Sequence, residues 1–228
     1  FDNPADLEKY PRTLENDLIL LNSISEKIIV FSPIALELYS QNISSKSYVF
    51  SGIEQEMEGK HRAGHFDGVG TVLNLLFKAV TPSKAYFGEK DFQQLLIVKE
   101  LVKIERLPVN IIGCPIVREK NGLAMSSRNA YLSATERKRA LVIYSSLRQA
   151  EKLWCSGVAI NRIEQELKKM LSAQEIQIEY ADIVDAKSLL KMHKNNPNAS
   201  VIILIACRVG STRLIDNLLL PSQTLSSC

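Results

Sequence analysis

The clearest periodic pattern in this chain lies over residues 66–80. Apolar side chains recur there at the three- and four-residue spacing of one helix face: Val69, Val72, Leu73, Leu76, Phe77 and Val80. This spacing predicts an amphipathic helix, and Pro82 is expected to end it because proline cannot continue the helical hydrogen bonds. A second helix is predicted from Phe92 to about Glu105.

Short apolar runs on either side of the second helix predict two strands, at residues 85–87 and 109–114. Strand, helix and strand in this order form a βαβ unit, which implies a parallel sheet with a right-handed crossover. Two further strands are expected nearer the start of the chain. The continuous β-branched run at 27–31 is typical of a strand buried on both faces, and residues 47–50 suggest an edge strand.

The pattern changes in the second half of the chain. Ser133 and Glu136 have the spacing of a capping box, which predicts the start of the first of two helices. Three strand-like runs follow these helices, at residues 176–180, 201–209 and 213–219. Helices followed by strands indicate a compact α+β domain. We therefore expect an α/β domain with a parallel sheet at residues 1–116 and a small α+β domain at 117–228.

Composition excludes several classes of protein. The chain has 228 residues, of which 46% are hydrophobic and 23% charged, as in ordinary soluble globular proteins. The net charge is only +3 and the lysines are scattered, so no nucleic-acid-binding surface is expected. The longest apolar run, residues 201–207, is far shorter than the roughly 20 residues of a membrane span. No signal-peptide pattern opens the chain.

Neither a disulfide framework nor a metal site is expected from the sequence. The cysteines form no CxxC pair, and we interpret them as reduced thiols of a cytoplasmic protein. They lie far apart, at Cys114, Cys155, Cys207 and Cys228. His61 and His65 have a spacing that could hold a metal on a helix. The intervening Gly64 and the lack of a nearby third ligand argue against such a site.

The stretch from Gly88 to Asp91 offers a candidate anion site. It follows a predicted strand and precedes a predicted helix, and open α/β sheets bind ligands at such junctions, where helix N-termini expose N–H groups. Lys90 adds a positive charge, so the turn suits a phosphate. The residues alone favour a structural alternative, because Asp91 and Gln94 also have the spacing of a capping box.

A second candidate anion loop contains Ser126, Ser127 and Arg128. Hydroxyl groups donate to phosphate oxygens, and a guanidinium matches phosphate with two parallel hydrogen bonds. The alternative is an ordinary turn, because serine and asparagine favour turns by themselves. Both loops together could hold a nucleotide between them, although neither a P-loop nor a GxGxxG fingerprint is present. The GxSxG motif of many hydrolases is absent as well.

A basic cluster precedes the first predicted helix. It consists of Lys60, His61, Arg62 and His65. Such a cluster could bind a carboxylate or a phosphate. It could equally be a solvated loop, because loops carry much of a protein's surface charge as well as its function.

Three long runs resemble the pantoate–β-alanine ligase (pantothenate synthetase) family: HFDGV at 65–69, YFGEKDFQQ at 86–94 and GLAMSSRN at 122–129. The runs YPRTL at 10–14 and RLIDN at 213–217 match its pattern too, so the resemblance covers essentially the whole chain. It implies a Rossmann-like domain of the nucleotidyltransferase type followed by a small α+β domain. The family begins with a strand and an HxGH motif that this sequence lacks, so the resemblance implies a first domain that is incomplete at its N-terminus.

The resemblance also implies a two-step reaction. The pantoate carboxylate would attack the α-phosphate of ATP, giving pantoyl adenylate and pyrophosphate, with Mg²⁺ accompanying the ATP. The β-alanine amine would then attack the acyl carbon and release AMP. A cytoplasmic homodimer is implied. The alternative is a truncated, non-catalytic chain that acts as a nucleotide-binding or assembly module.

The resemblance implies particular site residues. ATP contacts are implied for Gly88, Glu89, Lys90, Asp91, Val117, Met125, Ser126, Ser127 and Arg128. Within that set the catalytic side chains would be Lys90, Ser126, Ser127 and Arg128. Substrate binding is implied for Gln94, Arg62 and His65.

Overall fold

The structure, a computed structural model, describes residues 12–39, 44–196 and 199–222. Within these residues the first half forms helices α1 (Leu14–Ile24), α2 (Ala35–Tyr39), α3 (Glu58–His61), α4 (His65–Val80) and α5 (Phe92–Ile104). Its strands are β1 (Lys84–Gly88) and β2 (Asn110–Cys114). Tyr10 and Pro11 of the family-like run at 10–14 lie outside the described residues.

Strands β1 and β2 pair in parallel, with Ala85 opposite Ile111, and α5 connects them. The predicted βαβ unit is therefore confirmed. Parallel strands run in the same direction, so β1 and β2 end at Gly88 and Cys114 on one edge of the sheet. This is the edge at which open α/β sheets bind their ligands.

Helix α4 has the predicted position, but its buried face is displaced from the predicted apolar stripe. Phe77 is buried as predicted, but Gly70, Thr71 and Asn74 from outside the stripe are buried too, whereas Val80 is 52% exposed. A Cβ atom on Gly70 would lie 3.0 Å from ring atoms of both Tyr48 and Phe50. The missing side chain therefore lets the helix approach this segment closely on the face that contains Gly70.

Two of the predicted strands do not form. Residues 27–31 have no strand structure, and Ile29 and Phe31 are 91% and 54% exposed. Residues 47–50 form no strand either, although Tyr48 is buried. An apolar run becomes a strand only where a neighbouring strand pairs with its backbone, and within the described residues β1 pairs with β2 and with no other strand.

The second half of the chain has the predicted order of helices and strands. It forms α6 (Ala134–Cys155), α7 (Ile160–Ser172), β3 (Gln177–Asp185), β4 (Val201–Val209) and β5 (Thr212–Leu220). The strands form an antiparallel sheet in the order β3-β4-β5. The capping box is confirmed, because the Ser133 hydroxyl accepts from the Glu136 N–H and the Glu136 carboxylate accepts from the Ser133 N–H.

Strand β4 is buried on both faces, which explains its continuous apolar sequence. Ile203 and Ile205 belong to a core that includes Leu147 of α6. Ile202 and Leu204 point the opposite way, into a second core that includes Leu101 of α5. The sheet therefore joins the two halves of the chain. The domain division after residue 116 stays a prediction.

A buried carboxylate also connects the two halves. Glu58 on α3 accepts hydrogen bonds at Oε1 from Arg213 on β5 (2.6 Å) and from the Tyr180 hydroxyl on β3 (2.7 Å). Burial raises the pKa of the Glu58 carboxyl, but the hydrogen bond and the charge of Arg213, with smaller contributions from Tyr180 and Arg62, outweigh burial and hold that pKa below its usual value. The ion pair is therefore a pH-dependent tie between the two halves.

The cysteine prediction is only partly correct. Cys114 and Cys207 are free thiols, and burial raises the pKa of the Cys207 thiol to about 12. Cys155 is disulfide-bonded, so the prediction of a reduced thiol is wrong there. A disulfide depends on two Cα atoms approaching in space, which sequence spacing does not reveal. Cys228 lies outside the described residues.

A search of the described residues finds no helix that is both long and apolar enough to cross a membrane.

Replacing Glu58 with glutamine should destabilise the fold at neutral pH by about 1–3 kcal/mol, because Arg213 loses a charged partner in a largely buried position. The folded-state pKa of Glu58 lies below the ordinary value of 4.5. The difference between wild type and E58Q should therefore be complete above pH 4.5 and should shrink as the pH falls through the folded-state pKa. Urea unfolding of both proteins across this range measures it.

The matched control is E166Q, which removes a carboxylate that is 41% exposed and lies 3.8 Å from Lys169. Exposed pairs of this kind contribute about 0–1 kcal/mol, so E166Q should unfold close to wild type at every pH. A difference between wild type and E58Q that does not change with pH would contradict the assignment.

Candidate active site

A cavity of about 270 Å³ lies where the carboxyl end of β1 meets β5. Both signs of charge surround it. Its charged and titratable lining residues are Glu58, Arg62, His65, Lys90, Asp91, Arg128, Tyr180, Arg213 and Asp216. The first half supplies the residues before α5, and the second half supplies the rest. A polar ligand that carries negative charge would find several cations here within one cavity.

The turn after β1 provides one wall of this cavity. Residues Glu89–Asp91 form a short 3-10 turn, and α5 begins at Phe92. The Lys90 side chain is 19% exposed and its ammonium lies 3.7 Å from the Asp91 carboxylate. The turn therefore holds a lysine charge at the edge of the parallel sheet, as the sequence predicted.

The capping box predicted for Asp91 and Gln94 is wrong. Asp91 precedes α5, but its side chain makes no capping hydrogen bond. Its backbone has φ −92° and ψ 58°, outside the extended region in which a capping side chain can reach back to the helix N–H groups. The Asp91 side chain is 51% exposed beside Lys90 instead. Gln94 lines the cavity, and among the described residues no hydrogen-bonding partner of its amide is found.

Gly88 is needed neither for backbone conformation nor for packing. Its φ is −67°, which any residue adopts, and a Cβ atom there would meet nothing within 4 Å. The space beside it lies at the end of β1, so a ligand could approach the backbone closely. Glu89 differs, because its carboxylate would lie 2.7 Å from a Cβ on Gly113 of β2 and it is not a cavity-lining residue.

Gln93, for which the sequence suggested no role, organises the wall opposite the turn. Its buried amide donates to the carbonyl oxygens of Ile53 and Glu56, both at 2.8 Å. Its amide oxygen accepts from the Glu58 N–H at 3.0 Å. The two consecutive glutamines therefore have different roles. The Gln93 side chain holds the segment that leads into α3 by three hydrogen bonds, and the Gln94 side chain lines the cavity.

The basic cluster is split by the fold. Arg62 and His65 line the cavity, and the Arg62 guanidinium lies 2.9 Å from the His65 ring nitrogen Nε2. Lys60 forms an ion pair with Glu56, and the His61 ring stacks on Tyr180. A search of the described residues for three grouped His, Cys, Asp or Glu side chains that could hold a metal finds none.

The serine-containing loop reaches the cavity only in part. Arg128 lines it, and Ser126 lines a small adjoining void of about 10 Å³ together with Lys90. The Ser126 hydroxyl accepts from the Arg128 N–H at 3.3 Å. Ser127 is exposed and is not a lining residue.

Val117 and Met125 lie opposite each other in the hairpin before this loop. The Met125 N–H donates to the Val117 carbonyl at 2.9 Å. Both side chains are exposed, at 66% for Val117 and 56% for Met125. They therefore present an open apolar surface next to the carboxyl end of β2, where a flat apolar ring could rest.

Strand β5 contributes residues to which the sequence assigned no role. The Asn217 amide donates to the carbonyl oxygens of Glu89 and Lys90, both at 2.9 Å. Asp216 accepts two hydrogen bonds from Arg118, at 2.7 and 2.9 Å. The available signal was the RLIDN run at 213–217, which matched the family pattern and lies on a predicted strand.

Comparison with known proteins gives the family. A family model described as pantoate-beta-alanine ligase matches residues 1–219. A pantothenate synthetase from Christiangramia forsetii is 48% identical over 223 residues, which is 96% of this chain and 78% of that protein. The pantothenate synthetase from Flavobacterium psychrophilum is 46% identical over 219 residues, covering 96% of this chain and 77% of that protein.

A solved structure shares the fold. The crystal structure of pantoate-beta-alanine ligase from Francisella tularensis, complexed with beta-gamma ATP and beta-alanine, has a TM-score of 0.77 and 32% identity over 96% of this chain and 74% of that one. It confirms the expected fold class, α/β followed by a small α+β unit. On sequence and structure together, the chain belongs to the pantoate-beta-alanine ligase family.

Proposed function

We propose that this chain catalyses the ATP-dependent condensation of pantoate with β-alanine, giving pantothenate, AMP and pyrophosphate through a pantoyl-adenylate intermediate. One observation supports the proposal above the rest. Lys90 and Arg128, from the two predicted anion loops, line one cavity at the carboxyl end of β1. Family membership supports the same reaction, and the alternative of a non-catalytic module is not favoured.

The chemistry needs positioning and charge neutralisation more than it needs a nucleophilic side chain. In the first step a pantoate carboxylate oxygen bonds to the α-phosphorus, and the bond to pyrophosphate breaks. Negative charge grows on the pyrophosphate as it leaves, and Lys90 and Arg128 would stabilise it. In the second step the β-alanine amine bonds to the acyl carbon, AMP leaves, and the amine loses a proton.

The positions of the remaining sequence-predicted residues support the proposed ATP contacts to different degrees. Gly88 leaves space for the triphosphate, and the exposed surface of Val117 and Met125 suits adenine. Ser126 lies beside Lys90 around the small void, so it would support the phosphate contacts. For Ser127 and Glu89 the proposed ATP contact rests on the resemblance alone.

Pantoate would occupy the side of the cavity nearer α4. Gln94 offers an amide that can both donate to and accept from a substrate that has hydroxyl and carboxylate groups. Arg62 and His65 line the same side; the Arg62 guanidinium would attract the carboxylate of pantoate or of β-alanine, and His65 Nε2 accepts a hydrogen bond from Arg62 at 2.9 Å and so helps to orient it.

Mg²⁺ would enter with the ATP. Proteins usually hold Mg²⁺ through one or two carboxylates together with the phosphates of the substrate. The Asp91 carboxylate fits this role, because it lines the cavity, is 51% exposed and does not cap α5. When bound, the ion would supply further neutralisation of phosphate charge.

The assay for the proposed function is pyrophosphate release from ATP by the purified chain. We expect release to require pantoate, and pantothenate and AMP to form once β-alanine is added. Pyrophosphate release at the same rate without pantoate would contradict the proposal. A panel of other carboxylic acids is the control, because release with a different acid alone would indicate another adenylate-forming enzyme. ATP binding in calorimetry without any turnover would favour the non-catalytic module.

Replacing Lys90 with alanine should lower the rate of adenylate formation by at least about 10²-fold, the usual effect of removing a group that stabilises transition-state charge. Single-turnover pyrophosphate release measures this rate. The matched control is K99A, which removes an exposed lysine from α5, the helix that follows the Lys90 turn, and should keep the wild-type rate. An unchanged rate in K90A would mean that the turn is only structural.

We also propose that the protein is a homodimer. Supporting this, α1 and the residues after it expose large apolar side chains, among them Ile19, Leu20 and Ile24 at 67%, 64% and 76%. Apolar surface of this kind marks association sites. Sedimentation equilibrium should give twice the 25.5 kDa chain mass. A monomer at every concentration would rule the dimer out.

The cytoplasm is the compartment we propose, because ATP is the substrate. The reduced-thiol argument from the sequence does not support this, since Cys155 is disulfide-bonded. Fractionation of the source cells tests the proposal, and recovery outside the cytoplasm would contradict it.

A further inference from the structure

We infer that Asn217 is a positioning residue for adenylation: its side-chain amide sets the conformation of the turn that carries Lys90. The inference rests on the proposed function and extends it to strand β5. Asn217 would act through Lys90 rather than by chemistry of its own.

The geometry concerns the two peptide groups on either side of the Lys90 Cα atom. Asn217 Nδ2 donates to the Glu89 carbonyl and to the Lys90 carbonyl, each at 2.9 Å. An amide nitrogen has two hydrogens, so both donors are used. Peptide groups are planar, so holding these two carbonyls orients both planes that flank Lys90. The direction in which the Lys90 side chain leaves the backbone follows from those planes.

Asn217 can impose this geometry because it is itself firmly held. It is 5% exposed and lies opposite Leu204 in the β4–β5 pairing. Its N–H donates to the Asp216 carboxylate at 2.8 Å, and Asp216 in turn binds the Arg118 guanidinium. That guanidinium lies over the Tyr144 ring, 4.0 Å from its centroid. The Asn217 amide is therefore anchored by the β4–β5 pairing and by the ion pair between Arg118 and Asp216, so it is preorganised to hold the two carbonyl groups.

The same strand also reaches the second loop. Arg118 donates to the Gly122 carbonyl at 3.1 Å and belongs to the hairpin in which Val117 faces Met125. Asp216 and Asn217 are adjacent, so one point of β5 sets the Lys90 turn and the hairpin relative to each other. Catalysis that depends on aligning reactants loses rate when such a support shifts, by up to about 10²-fold for a displacement near 1 Å.

If Asn217 only stabilised the fold, its replacement would lower the rate equally with and without Lys90. A double-mutant cycle with K90A therefore distinguishes a structural role from a positioning role. N217D keeps the shape of the side chain but replaces the donor with a carboxylate oxygen that faces two carbonyl oxygens. We expect pantoate-dependent pyrophosphate release to fall about 10- to 100-fold in N217D, and similarly in N217A, at temperatures where circular dichroism shows the variants folded. In a K90A background the same changes should cost less than about threefold, because the residue they act through is already gone.

The matched control is T212V, a change of another buried side chain on β5 that does not line the cavity. T212V should stay within about twofold of its parent in both backgrounds. Equal losses from N217D in the wild-type and K90A backgrounds would overturn the inference, and so would a wild-type rate in both N217D and N217A.

A second readout separates this inference from the proposed function. Amide hydrogen exchange over residues 86–94 should speed up in N217A and not in T212V, whatever reaction the protein catalyses. If wild type releases no pyrophosphate, the proposed function fails, and the exchange experiment still tests the tie. Unchanged exchange over residues 86–94 in N217A would overturn the inference directly.

Discussion

The two-sided burial of strand β4 is the constraint on which the arrangement depends. Ile203 and Ile205 pack towards α6 and α7, while Ile202 and Leu204 pack towards the first half of the chain. Burial of apolar side chains is the main favourable contribution to folding, so a strand that is apolar on both faces forces both layers to assemble on it. Strand β5 pairs with β4 and is thereby brought to the carboxyl end of the parallel sheet.

Where the two halves of the chain meet, the pairing of charged side chains distinguishes structural residues from those available to a ligand. Arg213 pairs with Glu58 of the first half of the chain at 2.6 Å, and Arg118 pairs with Asp216, which lines the cavity beside the junction, at 2.7 Å. An arginine buried without such a partner would be costly, so these pairs make the junction tolerable rather than exceptionally stable. The Lys90 ammonium is different, because its Asp91 partner is 3.7 Å away and half exposed. That looser pairing suits a charge that is to interact with a ligand.

The two capping-box patterns show why sequence spacing is an incomplete guide. The pattern at Ser133 forms a complete box, and the pattern at Asp91 forms none. Ser133 has extended backbone angles that aim its hydroxyl at the helix, whereas Asp91 is the last residue of a 3-10 turn and has different angles. The preceding residues decide between these outcomes. At Asp91 the result leaves a carboxylate at the cavity edge.

The site shows a similar contrast between residues that local sequence motifs identify and residues that only the fold identifies. Lys90, Arg128, Gln94, Arg62 and His65 were all named from sequence and all line one cavity. Of the other residues named from the sequence, Asp91 lines it too, whereas Gly88, Glu89, Val117, Met125, Ser126 and Ser127 do not. The supporting residues were missed or had no role assigned: Gln93, Glu58, Tyr180, Asp216 and Asn217. Apart from the hydrogen bond between the adjacent Asp216 and Asn217, the side-chain hydrogen bonds that hold them join residues between 35 and 155 positions apart along the chain, and no local pattern encodes such contacts.

The sequence by itself determined the βαβ unit, the later helix pair, the three strands that follow it and the two candidate anion loops, because each depends on local periodicity or on a contiguous run of residues. Tertiary structure alone decided that residues 27–31 form no strand, that α4 turns Gly70 inward, and that Asn217 holds the Lys90 turn. The physical reason is the same in each case. Backbone pairing, close packing and capture of a carbonyl all require a partner that is distant in the chain, and only the folded protein brings that partner into contact.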